Sequence, residues 1–507
     1  MQAYAQQVEQ AIEAGFGESL GQSLELLLWL AGPQAARLPH AELETQLVVR
    51  GREVLRQAQQ DHLDRRQAVE VRLPEVVDAD GVARVRVEPD RSRGLATVVG
   101  QVRVGRLAYR GRGHADVHPA DARLNLPAVR YSHGLSRMAA EQAAAGSFAQ
   151  AGAAIEKVTG VRLGNRQVEE LACAAAVDFE GFYQRREHAM VEEATLLVMS
   201  FDAKGIKMRP GSLRRQTAAK AAKTATKLRS RLSKGEKRHR KRMAEVGAVY
   251  DVVPKPRTAA DVMPATEKQR QQARPRPKAV NKWLTASVAD EADQVIAAGF
   301  AEATRRDPGR QRTWVALVDG NAHQIACIRA QSAAAGVQVT IVVDFIHVLE
   351  YLWKAAWCFY PEGDPAAEGW VHEQATKLLA SGQAGQVAAA IRRKATYHRL
   401  ESADRKGADE AATYLHNHKQ QMDYPTALAS GWPIATGVIE GACRHLVKDR
   451  MDITGARWCL QTAEAILKLR ALIANDDFDE YWSWHLDQER NRVHKARYAH
   501  GLIPDTS

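Results

Sequence analysis

The sequence predicts an α/β fold built on a sheet with parallel neighbouring strands, and three observations predict it. Residues 312–357, RTWVALVDGNAHQIACIRAQSAAAGVQVTIVVDFIHVLEYLWKAAW, read strand, loop, helix, strand, helix in one short span. Parallel neighbours need such a crossover, and burial on both faces explains why these strands are continuously apolar rather than alternating. A third apolar run, ATLLVMSFD at 194–202, ends on an acid as those two do. Finally, 507 residues exceed what one hydrophobic core normally holds, so the sheet shares the chain with other domains.

Taken in order, residues 1–75 are rich in Ala, Gln, Glu, Leu and Arg at helical spacing, which predicts an N-terminal helical region. Residues 76–125 switch to alternation, VARVRVEPD and then ATVVGQVRVGRLAYRG, the pattern of a small antiparallel β module with Val on one face and Arg on the other. Residues 126–190 contain GSFAQAGAAIEKVTGVRLGNRQVEELACAAA. Here Ser147 can cap a helix carrying Phe148, Ala151 and Ile155, Thr159-Gly160 stops it, and a second helix begins near Asn165. This is the pattern of a helix-turn-helix with Asn165 and Arg166 at the head of a DNA-reading helix; it also suits an ordinary helical hairpin.

Residues 191–347 form the first part of the sheet domain. They hold the strand ending on Asp202, a basic loop at 210–243, a strand in MAEVGAVYDVVP, a Pro-rich extended connector at 254–282, and a helix from about 284 to 305. Residues 348–430 are helical without strands and read as an insertion. Residues 431–475 return to the sheet domain as final helices, and 476–507 read as a charged tail ending DQERNRVHKARYAHG.

Composition narrows the partner. Lys and Arg number 71 against 60 Asp and Glu, a formal charge of +11, which favours a polyanion. The excess gathers in the basic loop, where Lys237, Arg238, Arg240, Lys241 and Arg242 lie close together; such a run is either a solvated loop or a phosphate-contacting one. The start, MQAYAQQVEQAIEAGF, lacks the pattern of a signal peptide, and LELLLWLAG is too short to span a bilayer, so a cytoplasmic protein without a membrane partner is expected. The five cysteines stand singly, as small buried residues do, with no CxxC pair to mark a zinc cluster or disulfide framework.

The chemistry concentrates in acids at strand ends. Asp202, Asp319 and Asp344 each close an apolar run, and Glu440 lies just after Gly437 in a helical segment. In an open parallel sheet the carboxyl ends of the strands line the ligand crevice, which would bring such acids together. Singly, each is also an ordinary helix cap or turn former. Together they repel unless a cation lies between them, and an all-oxygen donor set suits two Mg²⁺ or Mn²⁺ ions performing phosphoryl transfer.

The segments SFDAKGIKMR, KRMAEVGAVYDVVPKPRT, ALVDGNAHQ, VVDFIHVLEYLWKAAWCF and GVIEGACRHLVKDRMDITGARW occur in an order that resembles the bacterial insertion-sequence DDE transposases of the ISKra group, relatives of the Mutator-like enzymes. The resemblance covers roughly residues 120–480. It implies an RNase H-like core, a mixed five-stranded sheet with flanking helices. It makes Asp202, Asp319 and Glu440 the catalytic, metal-holding triad, separated by the helical insertion, with Asp344 and His347 an accessory D-x-x-H pair. Arg444 and Lys448, four and eight residues after Glu440, become phosphate contacts or solvent-exposed cations. His323 and His445 read as surface histidines. The implied activity is cleavage at the element's terminal repeats and joining of the 3′-hydroxyls to target DNA, by a protein that self-associates to synapse two ends in the bacterial nucleoid. A nuclease without strand transfer and a non-catalytic DNA-binding regulator are the competing readings. One departure stands out: RLAYRGRGHADVHPAD lacks the cysteines that the family often carries in its β module, so no structural zinc is expected.

Overall fold

The computed structural model describes residues 2–187, 195–223, 228, 230–233, 236 and 240–506. The chain divides into two compact units, residues 1–184 with 476–507, and residues 185–475.

The first unit begins with helices, the longest being His40–Ala68. A short pair, β1 (Val76–Val77) and β2 (Ala83–Arg84), precedes the long hairpin of β3 (Arg86–Thr97) and β4 (Gly100–Arg110). The alternating Val pattern produces this hairpin: Val102 and Val104 are buried while Gln101 and Arg103 are exposed, and the inward face meets Leu63 of the long helix. Helices His133–Ala145, Phe148–Thr159 and Asn165–Ala175 follow. Ser147 and Gln150 close a reciprocal capping box at the head of the second, and Gly160 ends it in the left-handed conformation at φ +72°.

The expected charged tail is instead part of this unit. Helix Phe478–Glu489 places Tyr481, whose hydroxyl donates to Ala175 O at 2.6 Å, and His485, whose Nδ1 lies 2.7 Å from Asp178. Arg492 makes a two-point pair with Asp178 at 2.9 Å, and Tyr498 joins a core with Val76, Tyr109, Val117 and Ala122. Its charged residues hide a repeated aromatic content, Tyr481, Trp482, Trp484 and Tyr498, that burial rather than solvent satisfies.

The second unit is α/β around a mixed five-stranded sheet of β5 (Leu196–Lys207), β6 (Lys241–Val252), β7 (Ala279–Ser287), β8 (Thr313–Val318) and β9 (Val339–Val343). The order is β7-β6-β5-β8-β9. β6 is antiparallel to β5 and β7, while β8 is parallel to β5 and β9 to β8. Helix Ala322–Ala335 makes the crossover from β8 to β9 that the sequence pattern requires. The insertion comprises helices Pro365–Ser381, Ala384–Tyr397, Ser402–Asn417 and Tyr424–Ala429.

Several expectations need correction. β5 does not end at Asp202: it runs on to Lys207 paired with β6, although its pairing with β8 stops at Ser200. The helix expected from about 284 is strand β7 up to Ser287, and the helix is Ala292–Arg306. Its β-branched and aromatic residues are too few to announce a strand, and pairing with β6 decides it. The Pro-rich connector carries short helices Ala259–Val262 and Glu267–Gln272 and is anchored, Lys255 N and Arg257 N donating to Gly431 O and Leu428 O at 3.0 and 2.9 Å. The basic loop contains helix Arg215–Ala222, and Lys241 and Arg242 belong to β6. Of the cysteines, Cys443 is buried and the other four are half-buried. The expected domain boundary near 190 lies outside the described residues. No helix among the described residues is long and apolar enough to cross a membrane.

Candidate active site

The sheet register brings the three aspartates into line. Leu317 of β8 is the partner of Ser200 on β5 and of Val342 on β9. Asp202, Asp319 and Asp344 each stand two residues further on, so they follow one another across three adjacent strands just beyond where their parallel pairing stops, Asp319 and Asp344 after the ends of β8 and β9 and Asp202 within β5. The chain leaves the sheet after β8 and β9 at that end, the place where an open parallel sheet forms its ligand crevice, whereas β5 runs on beside β6.

Each aspartate is held differently. Asp202 is half-buried; its Oδ1 accepts from Ala203 N at 2.6 Å and its Oδ2 from the Cys443 thiol at 3.2 Å. Asp319 is also half-buried, with Oδ1 accepting from Asn321 N at 2.8 Å and its backbone carbonyl accepting from the Tyr414 hydroxyl at 2.6 Å. Gly320 follows at φ +97°, and a Cβ there would stand 2.9 Å from the Tyr414 oxygen, so backbone conformation and space both demand glycine. Asn321 then caps the crossover helix.

Asp344 is fully buried, which a lone carboxylate would not tolerate. It is satisfied on all sides. As the cap of helix Phe345–Ala356 it accepts from Ile346 N at 2.7 Å, the Thr436 hydroxyl donates to its other oxygen, and His347 Nδ1 lies 3.4 Å away. The bond to Asp344 raises the His347 imidazole to about 9 against the opposing effect of burial, with further support from the Asp344, Glu350 and Asp319 charges. His347 is therefore an imidazolium at neutral pH.

Glu440 lies on helix Gly437–Ala442, exposed, with Oε1 3.4 Å from Thr436 Oγ1. Sequence reasoning put Glu440 with Asp202 and Asp319. The structure groups it with Asp344 and His347, whose ligating atoms lie within 4.8 Å of one another and of Glu440; Asp202 and Asp319 do not join Glu440 in so tight a group. Thr436 links the two carboxylates, its Oγ1 bonding Asp344 and lying 3.4 Å from Glu440 Oε1, while His347 pairs with Asp344; Asp202 and Asp319 meet neutral donors.

The chemistry of the donor set nonetheless fits a hard divalent cation. Asp202, Asp319 and Glu440 offer only oxygens, each keeps lone pairs beyond the contacts described, and none pairs with Lys or Arg among the described residues. A second group, Asp78, Asp80 and His114 in the first unit, is different: Asp78 already receives the N–H groups of Asp80 and Val82 and the Arg84 guanidinium.

The predicted DNA contacts are scattered in quality. Asn165 and Arg166 are exposed at the head of their helix, with Arg166 paired to Glu170 at 2.8 Å. Lys237 and Arg238 lie outside the described residues. Arg240 is half-buried and Lys241 exposed, while Arg242 donates to Val288 O and Ala289 O at 2.6 and 2.9 Å and thus ties β6 to the chain after β7. After Glu440 the helix does not stay α: Cys443–Lys448 is a π turn, so Arg444 and Lys448 lose the alignment with Glu440 that α-helical spacing gives, though both remain exposed. Neighbouring Arg450 is buried over the Trp458 ring at 4.8 Å, and burial lowers it to about 10. His323 and His445 are exposed, the latter 3.2 Å from Asp449.

Sequence reasoning missed Tyr414, Thr436 and Cys443. Their contacts span 95, 92 and 241 residues, and no local pattern announces them. No protein-family model matches the chain, and no curated protein sequence matches it.

Proposed function

We propose that the second unit is the RNase H-like core of a DDE transposase, a metal-dependent enzyme of DNA phosphoryl transfer. The observation that carries the reading is the register alignment of Asp202 and Asp319 just beyond the last parallel pair of β5 and β8, with Glu440 supplied by a helix beyond an all-helical insertion. The strand order β7-β6-β5-β8-β9, in which β6 alone runs antiparallel to the other four, supports it.

In this reading Asp202, Asp319 and Glu440 hold two Mg²⁺ or Mn²⁺ ions. When bound, such ions supply charge to the attacking and departing oxygens of an in-line displacement. Asn321, by capping the crossover helix and donating its N–H to Asp319, fixes that carboxylate's direction. Asp344 orients His347, whose ring N–H is then available to a phosphate oxygen beside the reacting bond. The exposed Asn165, Arg166, Lys241, Arg444 and Lys448 contact double-stranded DNA, the terminal repeats of the element and the target, with Lys237, Arg238 and Arg240 adding to the basic loop. The enzyme self-associates to hold two ends and works in the bacterial cytoplasm, at the nucleoid.

The test is strand cleavage of DNA carrying the ends of the insertion sequence, with and without Mg²⁺. Cleavage should need the cation, and Asp319→Ala should abolish it while leaving DNA binding intact. Cleavage by Asp319→Ala at the wild-type rate removes the assignment. Joined products distinguish a transposase from a nuclease that only hydrolyses.

A further inference from the structure

We infer that Cys443 is a positioning residue for Asp202, its thiol tying the strand that bears one proposed cation ligand to the turn that directly follows the helix bearing another. This rests on reading Asp202 and Glu440 as ligands.

The observation is a side-chain bond between residues 241 apart: Cys443 Sγ donates to Asp202 Oδ2 at 3.2 Å. Cys443 is only 5% exposed and opens the π turn, three residues after Glu440. Ala442, Leu446 and Val447 are buried around it, so the turn is anchored and the thiol has a fixed place. Asp202 lies in the stretch of β5 that has lost its β8 neighbour; apolar Val246 of β6 stands opposite it and Oδ1 takes the adjacent Ala203 N–H, so among the described residues no group on β5, β6 or β8 bonds Oδ2. The thiol supplies the missing constraint.

The same device recurs across the crevice. Tyr414 donates to the Asp319 carbonyl and Thr436 to the Asp344 carboxylate, so each strand-end aspartate receives one O–H or S–H from the chain after residue 410. All three donors are neutral. They set direction without adding a positive charge that would compete with a cation, and a carboxylate oxygen bonded once keeps a lone pair to give. Of the three, Cys443 meets the Asp202 carboxylate directly, while Thr436, bonded to Asp344, also lies 3.4 Å from the Glu440 carboxylate.

A buried cysteine often serves as a small apolar filler. The two roles separate experimentally. A filler tolerates Ala or Val with effects on stability alone, whereas a donor is replaced by Ser, whose hydroxyl bonds the same oxygen.

The experiment is Mn²⁺ binding to the full chain without DNA, read from the paramagnetic resonance signal of free Mn²⁺, for wild type, Cys443→Ser, Cys443→Ala, Cys443→Val, Asp202→Asn and Asp202→Asn with Cys443→Ala. Val keeps the volume if Ala fails to fold. Loss of the donor should weaken binding about tenfold. Ser should stay within about threefold of wild type, since a hydroxyl donates at least as well as a thiol. Once Asp202 is Asn, adding Cys443→Ala should change nothing further. Wild-type affinity in Cys443→Ala or Cys443→Val, or equal weakening by Ser and Ala, overturns the inference and leaves the ligand reading standing. Unchanged Mn²⁺ binding in Asp202→Asn overturns the ligand reading and the inference with it.

Discussion

His347 shows how much one buried neighbour changes a residue. An imidazole one turn into an apolar helix would ordinarily lose its proton more readily; the Asp344 carboxylate at 3.4 Å reverses that and holds it near 9. Because the folded-state value lies above the ordinary 6.5, the charged ring stabilises the fold fully below about pH 6.5, and the contribution is lost as pH rises through about 9. An NMR titration of the His347 ring should show the high midpoint, and Asp344→Asn should bring it down to 6.5 or lower, since burial then dominates. Glu302 makes the opposite case, a buried acid whose work is structural. It is fully buried and bonds Arg305 at 2.8 Å and Arg306 at 2.7 Å, and Arg306 also lies 3.6 Å from Asp251. Glu302→Ala leaves the buried Arg306 guanidinium with Asp251 as its remaining acid and should cost about 1–3 kcal/mol in urea unfolding. The Asp344–His347 pairing is legible in the sequence as a D-x-x-H element, but the burial of Asp344 is not, and Glu302 looks like an ordinary polar position on a helix.

At the scale of elements, the turn after β8 couples conformation to the site. Gly320 is confined by its positive φ and by the Tyr414 ring, so Gly320→Ala should destabilise by about 1–3 kcal/mol and lower cleavage more than folding, because Asp319 is its neighbour. Removing the hydroxyl with Tyr414→Phe should relieve part of the stability loss, since the nearest clashing atom is then gone. Thermal unfolding of the two single variants and the double variant checks this. Element identities were read well where pattern and burial agree: β6, β8, β9 and the Ser147-capped helix lie where the residues put them, and β5 starts there but runs on past Asp202 to Lys207. They were misread where pairing decides. β7 carries Asn281 at φ +47° and an irregular register with β6, and its residues alternate too weakly to outvote a helical reading. The π turn at Cys443–Lys448 is equally silent, because an extra residue in a helical turn leaves no compositional mark.

The whole molecule carries its charge unevenly, and the basic loop should dominate the salt dependence of DNA binding. Replacing Lys237, Arg238, Arg240 and Lys241 together with Gln should weaken binding and lower the slope of log affinity against log salt concentration; an unchanged slope would remove the loop from the interface. Arg242 is left out of that set because its guanidinium already serves the backbone at 288 and 289. A chain ending at Asn475 should lose protection from proteases in residues 1–184 while 185–475 stays protected, because Tyr481, His485, Arg492 and Tyr498 all complete the first unit. Sequence by itself determined the α/β class, the crossover between β8 and β9, the capped helix pair and the acids at the strand ends, since each follows from local periodicity, turn chemistry and the burial a parallel strand requires. Tertiary structure alone decided that Glu440 meets Asp344 and His347, that Cys443, Thr436 and Tyr414 clasp the aspartates, and that the C-terminal segment belongs to the first unit. Those contacts join residues tens to hundreds of positions apart. Their energies come from desolvation and from hydrogen bonds across the folded core, which short-range pattern does not encode.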